Sequence, residues 1–239
     1  MTNQTAENLV EMLAANADFE KAKNFQRFFK TGPGEYAEGD LFLGLNVPMT
    51  RDVIKDFKQM PLPEIEKLAH SKYHEARLAA MLIMVNQWRA TKDEQKHHEL
   101  YKLYVKLLCD GRINNWDLID TSAPTVLGGW LWDHDRAVLF KWITDENLWF
   151  RRAAILASFG FIARGESSTS LQLCELVLND KHDLIHKGSG WMLREIGKRI
   201  SVDDLRGFLE QHIKQMPRTM LRYAIERLPE SERQVWLKR

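Results

Sequence analysis

Apolar residues recur at three-to-four spacing along almost the whole chain, and no convincing run of the strict apolar-polar alternation that marks a half-buried strand interrupts them. Glu64 to Ala69, Arg77 to Val85 and Leu100 to Leu108 carry the helical period most clearly. Each is dominated by residues that lose little side-chain freedom in a helix. Breaks at Met60-Pro61-Leu62-Pro63, Asp110-Gly111, Asp133-His134-Asp135, Arg164 to Ser168 and Met216-Pro217 supply the residues that stop helices. They predict helices of about 10 to 18 residues. One connection differs: Thr31 to Asp40 reads Thr-Gly-Pro-Gly-Glu-Tyr-Ala-Glu-Gly-Asp, long for a helix connection and without a phosphate-binding fingerprint.

A coarser period lies beneath the helices. Tyr73 to Ala80 resembles Leu148 to Ala154, with Arg77 and Arg152 in register, and Lys187 and Arg222 follow Arg152 at steps of 35 residues. Such a helix-pair repeat is slightly shorter than the roughly 40 to 47 residues of HEAT and armadillo units. Stacked pairs form a solenoid in which one position per repeat returns to the concave face. The expected fold is therefore all-α: a HEAT-like repeat α-solenoid of stacked antiparallel helix pairs with a concave basic face, in a single domain over residues 1–239. Spacing alone leaves open whether each cation lines a basic trough or pairs with a carboxylate on a neighbouring helix.

Composition narrows the classes. At 44% apolar and 28% charged residues the chain is an ordinary globular sequence without extended disorder. A net charge of +1 argues against a uniformly basic surface, yet the charge is uneven. Acidic residues exceed basic ones up to Thr50, whereas the part after Asp120 has a basic excess that includes Arg151, Arg152, Lys187, Arg194, Arg218 and Arg222. Phosphate binding needs only a local basic surface. Arg51 and Arg77 are further candidates upstream. Cys109 and Cys174 are too few and too far apart for a disulfide framework or a zinc site, and both read as core. With no apolar run near the roughly 18 residues of a membrane span and no signal-peptide pattern at Met1 to Thr5, a cytoplasmic protein is expected. His97-His98 cannot face one metal from a helix, and His182 with His186 has helical ligand spacing but no third ligand, so no metal and no cofactor are expected. No Ser-His-Asp order, P-loop or dinucleotide fingerprint is present.

The most informative local pattern is Asn115-Trp116-Asp117-Leu118-Ile119-Asp120, which puts an indole and a carboxylate four residues apart and so on one face of a helix. Both groups favour positive charge, the indole through its quadrupole and the carboxylate directly. Asp117, about 100° round the helix from Trp116, is expected to tolerate loss of its charge far better than Asp120. Downstream, Trp149-Phe150-Arg151-Arg152-Ala153-Ala154 and Gly188-Ser189-Gly190-Trp191-Met192-Leu193-Arg194 supply guanidinium groups and a second indole. Taken one at a time, a Trp at this spacing is more often core and an Asp near a helix start is more often a cap.

As a set, and with Ser122-Ala123-Pro124 after the first motif, these stretches resemble the AlkD-type alkylpurine DNA glycosylases, HEAT-like repeat proteins of bacterial DNA repair. The resemblance runs from about Phe19 to the C-terminus. It implies that Asp120 is the catalytic carboxylate, that Trp116 and Trp191 are the active-site indoles, that Arg152 grips phosphate in the active site, and that Arg194 contacts the DNA backbone. Arg151, Lys187, Arg77, Arg222 and Arg51 are expected to extend the DNA-binding surface. Where the family has an active-site tyrosine this chain has Phe28 or Phe29, which keeps an aromatic face and loses a hydroxyl. The implied activity is hydrolysis of the N-glycosidic bond of 3-methyladenine or 7-methylguanine in double-stranded DNA, without base flipping, by a monomer that acts in the bacterial cytosol at the nucleoid. The alternative is a non-catalytic HEAT-like module that binds distorted or branched DNA, which would be expected to lack Asp120 or one of the indoles.

Overall fold

A computed structural model describes residues 4–238. Its contacts group the chain into two units, Met1–Ser122 and Ala123–Arg239. The first contains α1 (Ala6–Ala15), α2 (Phe19–Phe28), α3 (Val47–Val53), α4 (Leu62–Ala69), α5 (His74–Ala90), α6 (Glu94–Cys109) and the start of α7 (Trp116–Leu131), with a 3₁₀ turn at Ile54–Phe57. The second continues with α8 (Ala137–Trp142), α9 (Leu148–Ala157), α10 (Phe159–Ile162), α11 (Ser168–Leu176), α12 (Asp183–Arg199), α13 (Val202–His212), α14 (Arg218–Ala224) and α15 (Glu230–Lys238). The fold is all-α. Among the described residues the only β-type pairing is an isolated bridge between Leu41 and Tyr73.

Helix starts follow side-chain chemistry. Thr5, Asp18, Asn46, Asp93, Asn147 and Ser201 each accept a hydrogen bond from a backbone N–H of the first turn of α1, α2, α3, α6, α9 and α13, supplying a partner that the helix cannot supply itself. The expected breaks fall at helix boundaries, with Leu62, Pro63 and Ser168 forming the first residues of α4 and α11. Several helices are nevertheless shorter than the periodicity predicts, α3, α8, α10 and α14 among them, and additional breaks arise after α8 at Ile143 to Asn147 and after α11 at Val177 to His182 without a Pro or Gly to announce them.

In each unit one helix is wrapped by the others. Helix α5 is buried at every position from His74 to Val85 and packs against α1, α3, α4 and α6, apolar from Leu78 to Val85 and carrying the charged His74, Glu75 and Arg77 in its first turns. In the second unit α12 takes this place, touching α9, α11, α13 and α14. Its Gly190 is needed for that packing: a Cβ there would press on the Met220 carbonyl and the Tyr223 side chain of α14. Cys174 is buried on α11, and burial pushes its thiol pKa up. Cys109 is a correction to the expected core, since it lies exposed at the C-terminal end of α6.

Candidate active site

The first turn of α7 is tied by its own side chains. Asn115 Oδ1 accepts the Trp116 N–H at 2.8 Å, and Asp117 Oδ1 accepts the Leu118 N–H at 2.9 Å. From this turn Trp116 and Asp120 both line a cavity of about 660 Å³ in the first unit, together with Phe25, Phe28, Phe29 and Phe42. The phenylalanines form a graded wall. Phe29 is buried and stacks on Trp116, with ring centres 5.4 Å apart and planes at 15°, and on Phe42 at 5.0 Å. Phe28 meets Trp116 edge-on at 6.0 Å and is 64% exposed. Both aromatic candidates therefore belong to the pocket, Phe29 as its inner wall and Phe28 as its rim.

Beneath the aromatic layer lies a line of buried charge. His74, at the start of α5, stacks against Phe42 at 4.7 Å and stands between two carboxylates: its Nε2 is 2.8 Å from Asp117 Oδ2 and its Nδ1 is 3.5 Å from Asp40 Oδ2. Burial alone would drive the imidazole neutral, but Asp117 and Asp40 outweigh it and push its pKa up to about 9. It is an imidazolium at neutral pH. Burial also opposes the charge of Asp40, yet His74 and Arg77 together hold its carboxyl below the usual range. Arg77 completes the chain with Nη2 at 2.6 Å from Asp40 Oδ1. This corrects the expectation for Arg77, which is 5% exposed and serves the buried network rather than a basic trough. It also corrects Asp117: far from dispensable, its carboxylate compensates a buried cation.

The long Gly-rich connection acquires a purpose here. Glu75 is buried and accepts the N–H groups of Leu43, Gly44 and Leu45 at 2.9, 2.8 and 3.2 Å. Three successive amides converging on one carboxylate require a left-handed residue among them, and Gly44 provides it at φ +91°. Its bare Cα also lets the strap lie against the Asp18 carbonyl at the head of α2. The His74 N–H donates to Leu41 O at 2.8 Å. The strap so fixed delivers Asp40 to the ion network and Phe42 to the pocket wall. Sequence reasoning missed Phe25, Phe42 and His74. The aromatic spacing at Phe25, Phe28 and Phe29 on α2 was the available signal for one helical face, but nothing local points to Phe42 or His74.

The second unit holds the remaining candidates. Arg152 corrects the expectation of a phosphate grip: it is buried on α9, and its Nη1 donates to the Leu184 carbonyl at the start of α12, so it ties the two helices together. Lys187 pairs with Asp183 at 2.7 Å. Arg194 bridges Glu195 at 3.2 Å and Glu226, while Arg222 is exposed on α14. Trp191 is half-buried, 5.8 Å from the Phe159 ring. Arg151 is a correction: its Nε is 2.7 Å from Asp180 Oδ2 and its Nη1 donates to the carbonyls of Asp145 and Glu146, so it ties α9 to the turn before it rather than facing a ligand. The fifth basic candidate, Arg51, is exposed on α3 in the first unit. His182 Nδ1 accepts the Leu184 N–H, and His186 Nε2 lies 2.6 Å from the Asp180 carbonyl.

The aromatic, carboxylate-bearing pocket of the first unit is suited to a cationic group. The fold of the chain is shared with a solved structure described as a predicted DNA alkylation repair enzyme from Enterococcus faecalis, at 16% identity over 90% of this chain and 97% of that one, with a TM-score of 0.69. The family model for DNA alkylation repair enzymes matches residues 9–228, and the chain belongs to that family. A comparison with curated proteins finds no match. Membership makes the protein a DNA alkylation repair enzyme with DNA as its substrate.

Proposed function

We propose that this protein is a monofunctional DNA glycosylase that hydrolyses the N-glycosidic bond of cationic alkylated purines, 3-methyladenine and 7-methylguanine, in duplex DNA. The observation that carries the reading is the pairing of Trp116 and Asp120 on one face of the first turns of α7, both lining the aromatic cavity. Alkylation at those ring positions leaves a positively charged base, so the glycosidic bond breaks through an oxocarbenium-like sugar without a strong general acid. What the enzyme must add is stabilisation of positive charge. The Asp120 carboxylate supplies it electrostatically at the sugar and orients the attacking water, while the Trp116 and Trp191 faces favour cations. Arg194 grips phosphate, fixing position without reading sequence.

The reading does not require the base to leave the stack, because the departing group is already activated by its own charge. Loss of the family hydroxyl at Phe28 and Phe29 leaves an aromatic surface there and removes a hydrogen-bond donor, which favours recognition by shape and charge. The protein is proposed to act as a monomer in the cytoplasm.

The decisive test is incubation with duplex DNA carrying 7-methylguanine, followed by detection of the free base. Wild-type protein should release it, and Asp120→Asn should bind the same duplex with unchanged affinity while losing most of the excision rate, since the amide keeps the shape and removes the charge. Release at the wild-type rate by the variant would overturn the mechanism. Binding without release by the wild type would instead favour a non-catalytic module for distorted DNA.

A further inference from the structure

A second cavity in the first unit, of about 260 Å³, is lined by Arg51, Lys55, Lys58 and Arg89 together with Asn86, Thr121 and apolar side chains, and by no carboxylate. Four cations around one small concavity repel each other, and a protein keeps such a set where an anion offsets it. Lys55 Nζ is held by Asp52, one turn back on α3, at 2.7 Å. Arg51, Lys58 and Arg89 are exposed at the protein surface.

The place of this cavity in the fold says what kind of anion it suits. Three elements run from the aromatic pocket into it. On α3, Val47 lines the pocket and Arg51, one turn on, lines the cationic cavity. On α5, Leu78 lines the first, and Leu82, Val85, Asn86 and Arg89 continue the same face into the second. On α7, Asp120 lines the first and Thr121 lines both. An acidic aromatic site that favours a cation thus adjoins a site that favours an anion, with one residue shared between them. In a nucleic acid strand carrying a cationic base, those two charges lie on neighbouring groups, the base with its sugar and the phosphodiester.

We propose that Arg51, Lys55, Lys58 and Arg89 form a phosphodiester-binding site for the DNA strand whose damaged nucleotide lies at the Trp116 and Asp120 pocket. The choice of ligand rests on the glycosylase reading of that pocket. The cations neutralise backbone phosphate as point charges and, for the two arginines, as planar donors, with release of condensed counterions. Thr121, between the two cavities, offers a hydroxyl to the same backbone. The grip carries no base sequence and so serves a lesion in any context.

The test uses the full chain and undamaged duplex DNA, so that it does not depend on excision. Arg51→Ala with Lys58→Ala should lower the slope of log K against log salt by about 2, roughly one per lost phosphate contact, and should weaken binding at low salt to every duplex alike. A control variant, Lys214→Ala with Lys238→Ala, removes equal charge at exposed positions in the second unit and should leave the slope unchanged. Melting of each variant shows that it is folded. A wild-type slope in the Arg51 and Lys58 variant, or a drop no larger than in the control, overturns the proposal even if 7-methylguanine is released normally. Inorganic phosphate binding lost in the variant with duplex binding intact would mark an adventitious anion site only, and likewise overturns it. Failure of wild-type excision alongside the expected slope change would instead remove the glycosylase reading and leave the phosphate site standing.

Discussion

At the scale of single residues, two aspartates three positions apart on α7 have different tasks. Asp120 faces the cavity, whereas Asp117 compensates His74 at 2.8 Å in the interior. Replacing Asp117 by Asn leaves a buried imidazolium facing Asp40 and Arg77 with one carboxylate lost. We expect a stability loss of about 3 to 5 kcal/mol in urea unfolding, the usual cost of breaking a buried pair, together with loss of activity that follows the loss of fold. Asp120→Asn should lose activity with its melting temperature intact, and equal melting temperatures for the two variants would refute the division of labour. The same pair predicts a pH dependence. Since the His74 pKa is raised from 6.5 to about 9, its contribution to stability is complete below about pH 6.5 and is lost as pH rises through about 9. Asp40, held low, loses its contribution only as pH falls through its depressed value. Between pH 7 and pH 10 the wild type should therefore lose more stability than His74→Gln, and parallel losses in the two proteins would show that His74 is not charged in the fold.

At the scale of elements, the pocket depends on a strap that has no regular structure. The segment from Asp40 to Leu45 is held by Glu75 and His74 at the start of α5, and Gly44 sits in it at φ +91° with no room for a Cβ beside Asp18. Gly44→Ala meets both obstacles at once. It should destabilise by about 1 to 3 kcal/mol or more through backbone strain, and release of Phe42 from the Phe29 ring should change the fluorescence of Trp116, which stacks on Phe29. Unchanged emission and melting would mean that the strap does not set the pocket wall. On α9, neighbouring arginines both serve the fold, Arg151 clamping Asp180 and Arg152 reaching the Leu184 carbonyl. Arg194→Ala should weaken binding to all duplexes similarly and flatten its salt dependence, whereas Arg152→Ala should lower the melting temperature by removing the tie between α9 and α12. A loss confined to one DNA sequence would assign Arg194 to base readout instead.

At the scale of the whole molecule, what the sequence reveals is what local chemistry controls. Breaks at Pro61, Gly111, Gly165 and Pro217 are legible because those residues interrupt helices wherever they stand. The Trp116 and Asp120 pair is legible because helical geometry alone puts them on one face. Arg77 and Arg152 show the limit: they share a repeat register, yet Arg77 is claimed by Asp40, which arrives from a strap 37 positions upstream, and no periodicity announces such a partner. Phe42 and His74 are hidden for the same reason, their places being set by hydrogen bonds between the strap and α5. The strap also has a free end in the engineering sense. While Asp40 to Leu45 is pinned, the tip at Pro33, Gly34 and Glu35 is exposed, and its turn is closed by its own neighbours, Glu35 accepting the Gly32 N–H and Glu38 the Gly34 N–H. A fluorophore or a short peptide tag inserted there would leave every tie to α5 in place, giving a handle on the segment that carries Phe42, through which arrival of a labelled lesion can be followed in real time.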